Sequence, residues 1–287
     1  VPISETLLWG VLLPAAVAAL VWCVGRRPWR GPDQESEVRW WESLALALAF
    51  LVGYAGQFGP PRTPLGEVPP GAQDWLVWIV LAVGVLYIGR PRRWRLLRSR
   101  PVIAAASLAL LLRAMIEHHW EGLWALAWCC GLFALLLGSW WSGDGLVRRA
   151  PTVAAPVLVM TGAALALCAG FSGSAKLAQA AAPLCAGLGT LWVLDRCRAS
   201  AVPATGAVAL TVLALFGLGV SAFFYSSLPA TQGLLLCGAL PLALAAAGRE
   251  TGEGARRIAA PLAAAIAPLA LAVLLAWLAF EPDHYGY

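Results

Sequence analysis

The chain has 287 residues, 60% of them hydrophobic and 12% charged, with a formal net charge of +5 and a mean hydropathy of +0.75. A soluble body of this size needs more polar surface than that, so hydrocarbon must take the place of water around most of the chain. Long, continuous apolar runs rich in Ala and Leu point to helices rather than strands, and about 18 such residues suffice to cross a core of roughly 30 Å.

The opening VPISETLLWG has no basic stretch, and AALVWCVGRR offers neither a small-residue cleavage site nor a lipobox. Residues 7–25 are therefore expected to be a retained span and not a cleaved leader. Nine more apolar segments follow, at about 41–58, 75–89, 101–117, 122–141, 152–171, 177–194, 203–225, 231–248 and 258–280. The expected architecture is an all-α, polytopic bundle of about ten transmembrane helices in a single membrane domain over 1–287. Thirteen of the fifteen tryptophans lie in 1–142, whereas the rest is dominated by Ala, Gly and Leu. The break near VRRAPTV thus divides a Trp/Arg-rich half, 1–150, from an Ala/Gly-rich half, 151–287, with five spans each. Trp40, Trp41, Trp75, Trp140 and Trp141 fall at predicted span ends, as an interfacial belt requires.

Basic residues orient the spans. Alternate connections hold Arg26, Arg27, Arg30 and Arg39; the run Arg90, Arg92, Arg93, Arg95, Arg98 and Arg100; Arg148 and Arg149; Arg196 and Arg198; and Arg249, Arg256 and Arg257. The other connections hold only Arg62, Arg113 and Lys176. Seventeen against three, with no loop out of phase, places the arginine-bearing loops in the cytoplasm. Both termini are then outside, as in a bacterial-type inner-membrane protein. The positive charge is an orientation signal, so a nucleic-acid partner is not expected. Arg90, Arg92, Arg93, Arg95, Arg98 and Arg100 are expected to rest on anionic lipid headgroups, the one partner that composition implies.

Most span centres are chemically bare, offering Ser107, Thr161, Thr190, Thr211 and Tyr54 but almost no charge. That argues against an ion-coupled carrier with a charged midplane site. Arg113 is the deepest basic residue. If its span starts near Pro101, it lies about 18 Å along the helix, roughly two-thirds of the way across. Glu117, one turn further out, is placed to pair with it, and Glu121 continues the stripe. Glu42 opens the second span, where a carboxylate suits the helix N-terminus.

All three histidines, His118, His119 and His284, fall on the predicted outer side with Glu117, Glu121, Glu281 and Asp283. These are metal-capable types, but adjacent His118 and His119 point about 100° apart on a helix, and no H-x3-H spacing exists. Lys176, the only lysine, sits in the outer turn GFSGSAKLAQ with Ser172, Ser174 and Gln179 nearby. The outer-face polar set is therefore Arg113, Glu117, His118, His119, Glu121, Lys176, Glu281 and His284, read first as solvated span ends. The seven cysteines lack metal or redox spacing and read as small core hydrophobes. No metal, cofactor or catalytic residue is assigned.

There is no GxGxxG, P-loop, H-E-x-x-H or G-x-S-x-G. In its size, its ten spans and its opening LLWG the chain is similar to drug/metabolite-type carriers. That family implies termini on the side opposite to the one the arginines assign, and no residue role is carried over. Three function classes remain: a small-solute carrier, a non-catalytic subunit of a membrane assembly with protein partners in the bilayer, and a membrane enzyme with an outer acidic or His site. The expectation leans to transport and away from catalysis. A carrier requires a cavity reaching mid-membrane, lined by Thr, Ser, Tyr or Gln.

Overall fold

A computed structural model describes residues 3–25, 40–65, 70–86, 93–197, 205–249 and 256–280, with backbone alone at 3, 40, 93–98, 205, 256 and 257. All regular structure among them is helical. Helix α1 (Ile3–Leu7) runs through a π turn at Leu8–Leu12 into α2 (Leu13–Gly25). Next come α3 (Trp40–Phe58), α4 (Ala72–Leu86), α5 (Arg93–Leu111), the short α6 (Arg113–His118) and α7 (Gly122–Arg149). The series ends with α8 (Pro151–Phe171), α9 (Ala175–Cys197), α10 (Thr205–Tyr225), α11 (Ala230–Arg249) and α12 (Arg256–Leu278).

Each predicted apolar segment corresponds to one long helix, with the largest boundary shifts in the fourth, which begins at Arg93 instead of 101, and in the fifth. The fourth ends at Leu111, six residues short of the expected 117, and the fifth runs on to Arg149 past the expected 141. By length and composition, seven helices among the described residues can cross a membrane: the N-terminal one, α7, α8, α9, α10, α11 and α12. The protein is thus a helical membrane bundle. Of the remaining long helices, α4 and the apolar part of α5 (Ser99–Leu111) are shorter.

Helix is the form that satisfies backbone polar groups within one segment, which hydrocarbon demands. Several hydroxyls in the spans meet the same demand. Those of Ser142, Thr161, Thr190 and Thr211 each donate to the carbonyl four residues back, at 2.7–2.8 Å.

Burial identifies the axis of the bundle. In α10, 83% of the most apolar window is buried, against 22% in α7 and in the N-terminal helix. A helix apolar and buried all round belongs inside, and α10 packs against α3, α4, α5, α7, α8, α9 and α11. Elsewhere large apolar side chains face outward, among them Leu20 at 65%, Leu123 at 85% and Leu278 at 65% exposure. Hydrocarbon is the medium that such a belt suits.

Small residues set the closest helix contacts. A Cβ on Gly56 would strike the Trp9 ring, and one on Gly53 would strike Pro183. These glycines let α3 approach the π turn and α9, the close packing by which membrane helices associate.

Contacts at the helix ends sort the bundle into two poles. Trp22 reaches Asp195, Arg100 reaches Asp144, and Gly248 lies against Arg149, all at the arginine-bearing pole. At the opposite pole Tyr54 donates to Asp74 at 2.9 Å, Tyr225 donates to the Leu111 carbonyl at 3.1 Å, and Phe171 packs on Phe280.

Candidate functional site

The helix break after Leu111 decides the position of Arg113. Leu112 has φ −95° and ψ 2°, so Arg113 begins a separate helix instead of extending the fourth one. Its Nε donates to Glu117 Oε1 at 2.7 Å, and the two side chains are 58% and 47% exposed. Arg113 is therefore a surface residue of the bundle, beyond the end of the fourth helix and not within it. His118, His119 and Glu121 are also exposed. Lys176 lies elsewhere, its Nζ 5.2 Å from the centre of the Phe58 ring. Glu281 and His284 lie outside the described residues. Among the described residues, no three His, Cys, Asp or Glu side chains are grouped to hold a metal ion.

The expected headgroup contacts need one correction. Arg100 is 5% exposed and pairs through Nη1 with Asp144 Oδ2. Its Cζ lies 5.3 Å from the centre of the Trp140 ring. The cause is the carboxylate across the bundle, which holds the guanidinium inward. Arg90 and Arg92 lie outside the described residues, and Arg93, Arg95 and Arg98 are described in backbone only.

The same pole holds two more buried acids. Asp195, 3% exposed, accepts from Trp22 Nε1 at 3.1 Å. Glu42, 1% exposed, lines a void of about 10 Å³ with Asp195 and Trp192. Buried charge is expensive in a membrane and is retained where it is paired or hydrogen-bonded. These groups fasten α5 to α7, and α2 to α9.

Away from that pole the bundle also holds an apolar cavity. A half-enclosed cavity of about 230 Å³ lies between α7, α8, α10 and α11. Helical spacing brings its lining together: Trp128, Leu132, Leu135 and Ser139 on α7, and Leu158, Thr161 and Leu165 on α8, repeat at intervals of three and four. Six residues of α10, from Val212 to Phe223, form one wall, and α11 supplies Ala230, Gly233, Leu234, Leu236, Cys237 and Leu240. Thr161 and Leu215 stand midway along their helices, so the cavity occupies mid-bundle depth. The Thr161 hydroxyl is committed to the Val157 carbonyl, which leaves an almost wholly apolar surface.

An aromatic cluster caps this cavity at the pole opposite the arginines. Trp120 stacks on Trp128 at 6.1 Å, and Trp124 meets Trp128 edge-on at 6.1 Å. Phe223 lies 5.5 Å from Trp128, while Phe224 contacts Trp120 at 5.1 Å. Trp120 is held in place because its backbone N–H donates to the Met115 carbonyl at 2.9 Å. The 113–121 segment therefore sits over the cavity through its tryptophan, whereas its charged residues face outward.

Sequence reasoning missed Asp144, Asp195 and the residues that line the cavity. Asp144 lies beyond the expected end of its span and so reads as a loop residue. Nothing in the sequence alone separates the cavity-lining leucines from packed ones. No family model, curated protein or solved structure matches the chain.

Proposed function

We propose that the protein is a ten-span carrier in a bacterial-type cytoplasmic membrane, with the arginine-bearing pole inside and both termini outside. The seventeen-to-three split of basic residues supports this orientation. The end contacts described above agree with a chain that alternates between the two poles. The carrying observation is the half-enclosed cavity at mid-bundle depth. A site between helices, concave and largely formed in advance, is where small molecules bind in such bundles.

The lining alters the kind of solute. The expectation was a cavity lined by Thr, Ser, Tyr or Gln, but Leu, Val, Phe and Trp dominate. Tyr54, a candidate for the lining, is engaged with Asp74 at one pole. The geometry favours a solute that partitions into hydrocarbon over a polar one.

The reading is tested with purified protein in proteoliposomes loaded with a panel of apolar and amphiphilic fluorophores. At least one fluorophore should leave faster than from protein-free vesicles, and Gly233→Leu should slow it by filling the cavity. Equal rates with and without protein for the whole panel would rule out the carrier. A stable protein partner retained through gentle detergent extraction, in place of flux, would favour the assembly-subunit reading.

A further inference from the structure

We infer that the cavity is the tail slot of a single-chained amphiphile, entered sideways from the hydrocarbon, with the polar head at the 113–121 segment. This names the substrate class of the carrier proposed above and rests on that reading.

Shape carries the first part. The lining spans eleven residue steps on α7, from Trp128 to Ser139, and the same number on α10, from Val212 to Phe223. At 1.5 Å per residue the slot is about 16 Å long. Over that length a helix of about 10 Å diameter occupies roughly 1,250 Å³, more than the slot and its open mouth together, about 1040 Å³, so neither a partner helix nor a second copy of this chain fits. One hydrocarbon or isoprenoid chain does.

Access carries the second part. Helices α7 and α11 touch at the arginine-bearing pole, where Gly145 faces the Leu244 side chain and Gly248 faces Arg149. They part toward the other pole, leaving Leu135 at 39% and Leu234 at 60% exposure along the opening. The slot is thus closed at one end and open to the side, where lipid chains lie. Gly219 and Gly233 line it with nothing within 4 Å of where a Cβ would stand. Such glycines widen the slot without serving a helix contact.

The head end carries the third part. Trp128 and Phe223 top the slot, and Trp120 leads from them to the exposed Arg113, Glu117, His118 and His119. Gln232, between lining residues Ala230 and Gly233, is 3% exposed, and its Oε1 has no hydrogen-bond partner among the described residues. An apolar slot that ends beside polar groups of both signs suits an amphiphile better than a plain hydrocarbon.

The test uses the whole protein in nanodiscs of two-chain phosphatidylcholine, titrated with a lysophosphatidylcholine brominated in mid-chain. Parallel titrations use a brominated fatty acid and a brominated two-chain lipid. Bromine quenches nearby tryptophan, and three of the fifteen tryptophans stand at the slot: Trp128 lines it, and Trp120 and Trp124 pack against Trp128. A single-chain probe should give a saturable loss of about one fifth of the emission, superposed on a linear loss from surrounding lipid. Gly219→Leu with Gly233→Leu should abolish the saturable part and leave the linear part and the thermal unfolding unchanged. Which single-chain probe saturates first separates a lysolipid source from a free fatty acid.

A purely linear loss, equal in the wild type and the double variant, would overturn the proposal as annular lipid only. Saturation by the two-chain lipid alone would overturn the single-chain assignment. Saturable binding without flux would leave this site standing and remove only the carrier reading.

Discussion

Replacing Asp144 by Ala takes the carboxylate away from a guanidinium that is 6% exposed. Arg100 would then keep its charge inside the bundle beside the Trp140 face, a contact that offsets only part of the lost attraction. Breaking one side of a buried pair costs about 3–5 kcal/mol, because the remaining charge loses that attraction while it stays buried. The loss should appear in unfolding of the detergent-solubilised protein by titrated dodecyl sulfate, followed by circular dichroism. The pair is not a perfect network, since Asp144 Oδ1 and Trp140 Nε1 have no hydrogen-bond partner among the described residues. A half-satisfied network is no better than apolar packing, so Arg100→Leu with Asp144→Leu should recover most of the loss or exceed the wild type. A cost below about 1 kcal/mol for Asp144→Ala would refute this reasoning. It would mean that Arg100 reaches the headgroups by extending along its helix, as its sequence position suggests.

Three further outcomes follow from the packing and the two poles. Gly56→Ala and Gly53→Ala should destabilise, as their Cβ atoms meet Trp9 and Pro183, whereas Gly219→Ala should be neutral or stabilising by up to about 1 kcal/mol in the same assay. Arg113→Ala and Glu117→Ala should each change stability by less than about 1 kcal/mol, as befits an exposed pair; a larger loss would show that the segment is clamped by charge and not by Trp120. In a cysteine-free background, an impermeant maleimide added to whole cells should label a single Cys at the exposed Gly173 but not one at the exposed Arg148; labelling of both from outside would break the alternation of the poles.

The sequence already shows the ten apolar segments because each is long enough to be a helix whatever surrounds it. The turns were harder. Residues 139–145, SWWSGDG, look like the end of a span, since Gly and Asp usually close one. The helix continues to Arg149 because Arg100, 44 residues earlier, neutralises Asp144 in the folded bundle. The opposite error occurs at LLLRAMIEHHW, where no Gly or Pro announces a break and yet the helix stops at Leu112. There Tyr225, from the far end of α10, donates to the Leu111 carbonyl, a contact made only in the folded bundle. The cavity was illegible for a related reason. Gly219 and Gly56 are the same residue in the same kind of apolar run. One faces empty space and the other a tryptophan ring, which depends on how the neighbouring helices lean.

The enclosure of α10 has a consequence for how the molecule is made. Its helix begins at Thr205, so α3, α4, α5, α7, α8 and α9, all of which touch it, are synthesised before it. Domains assemble from the N-terminus as the chain emerges. The early helices must therefore wait in the bilayer around a missing axis, and the bundle closes only when the eighth long segment slides in among them.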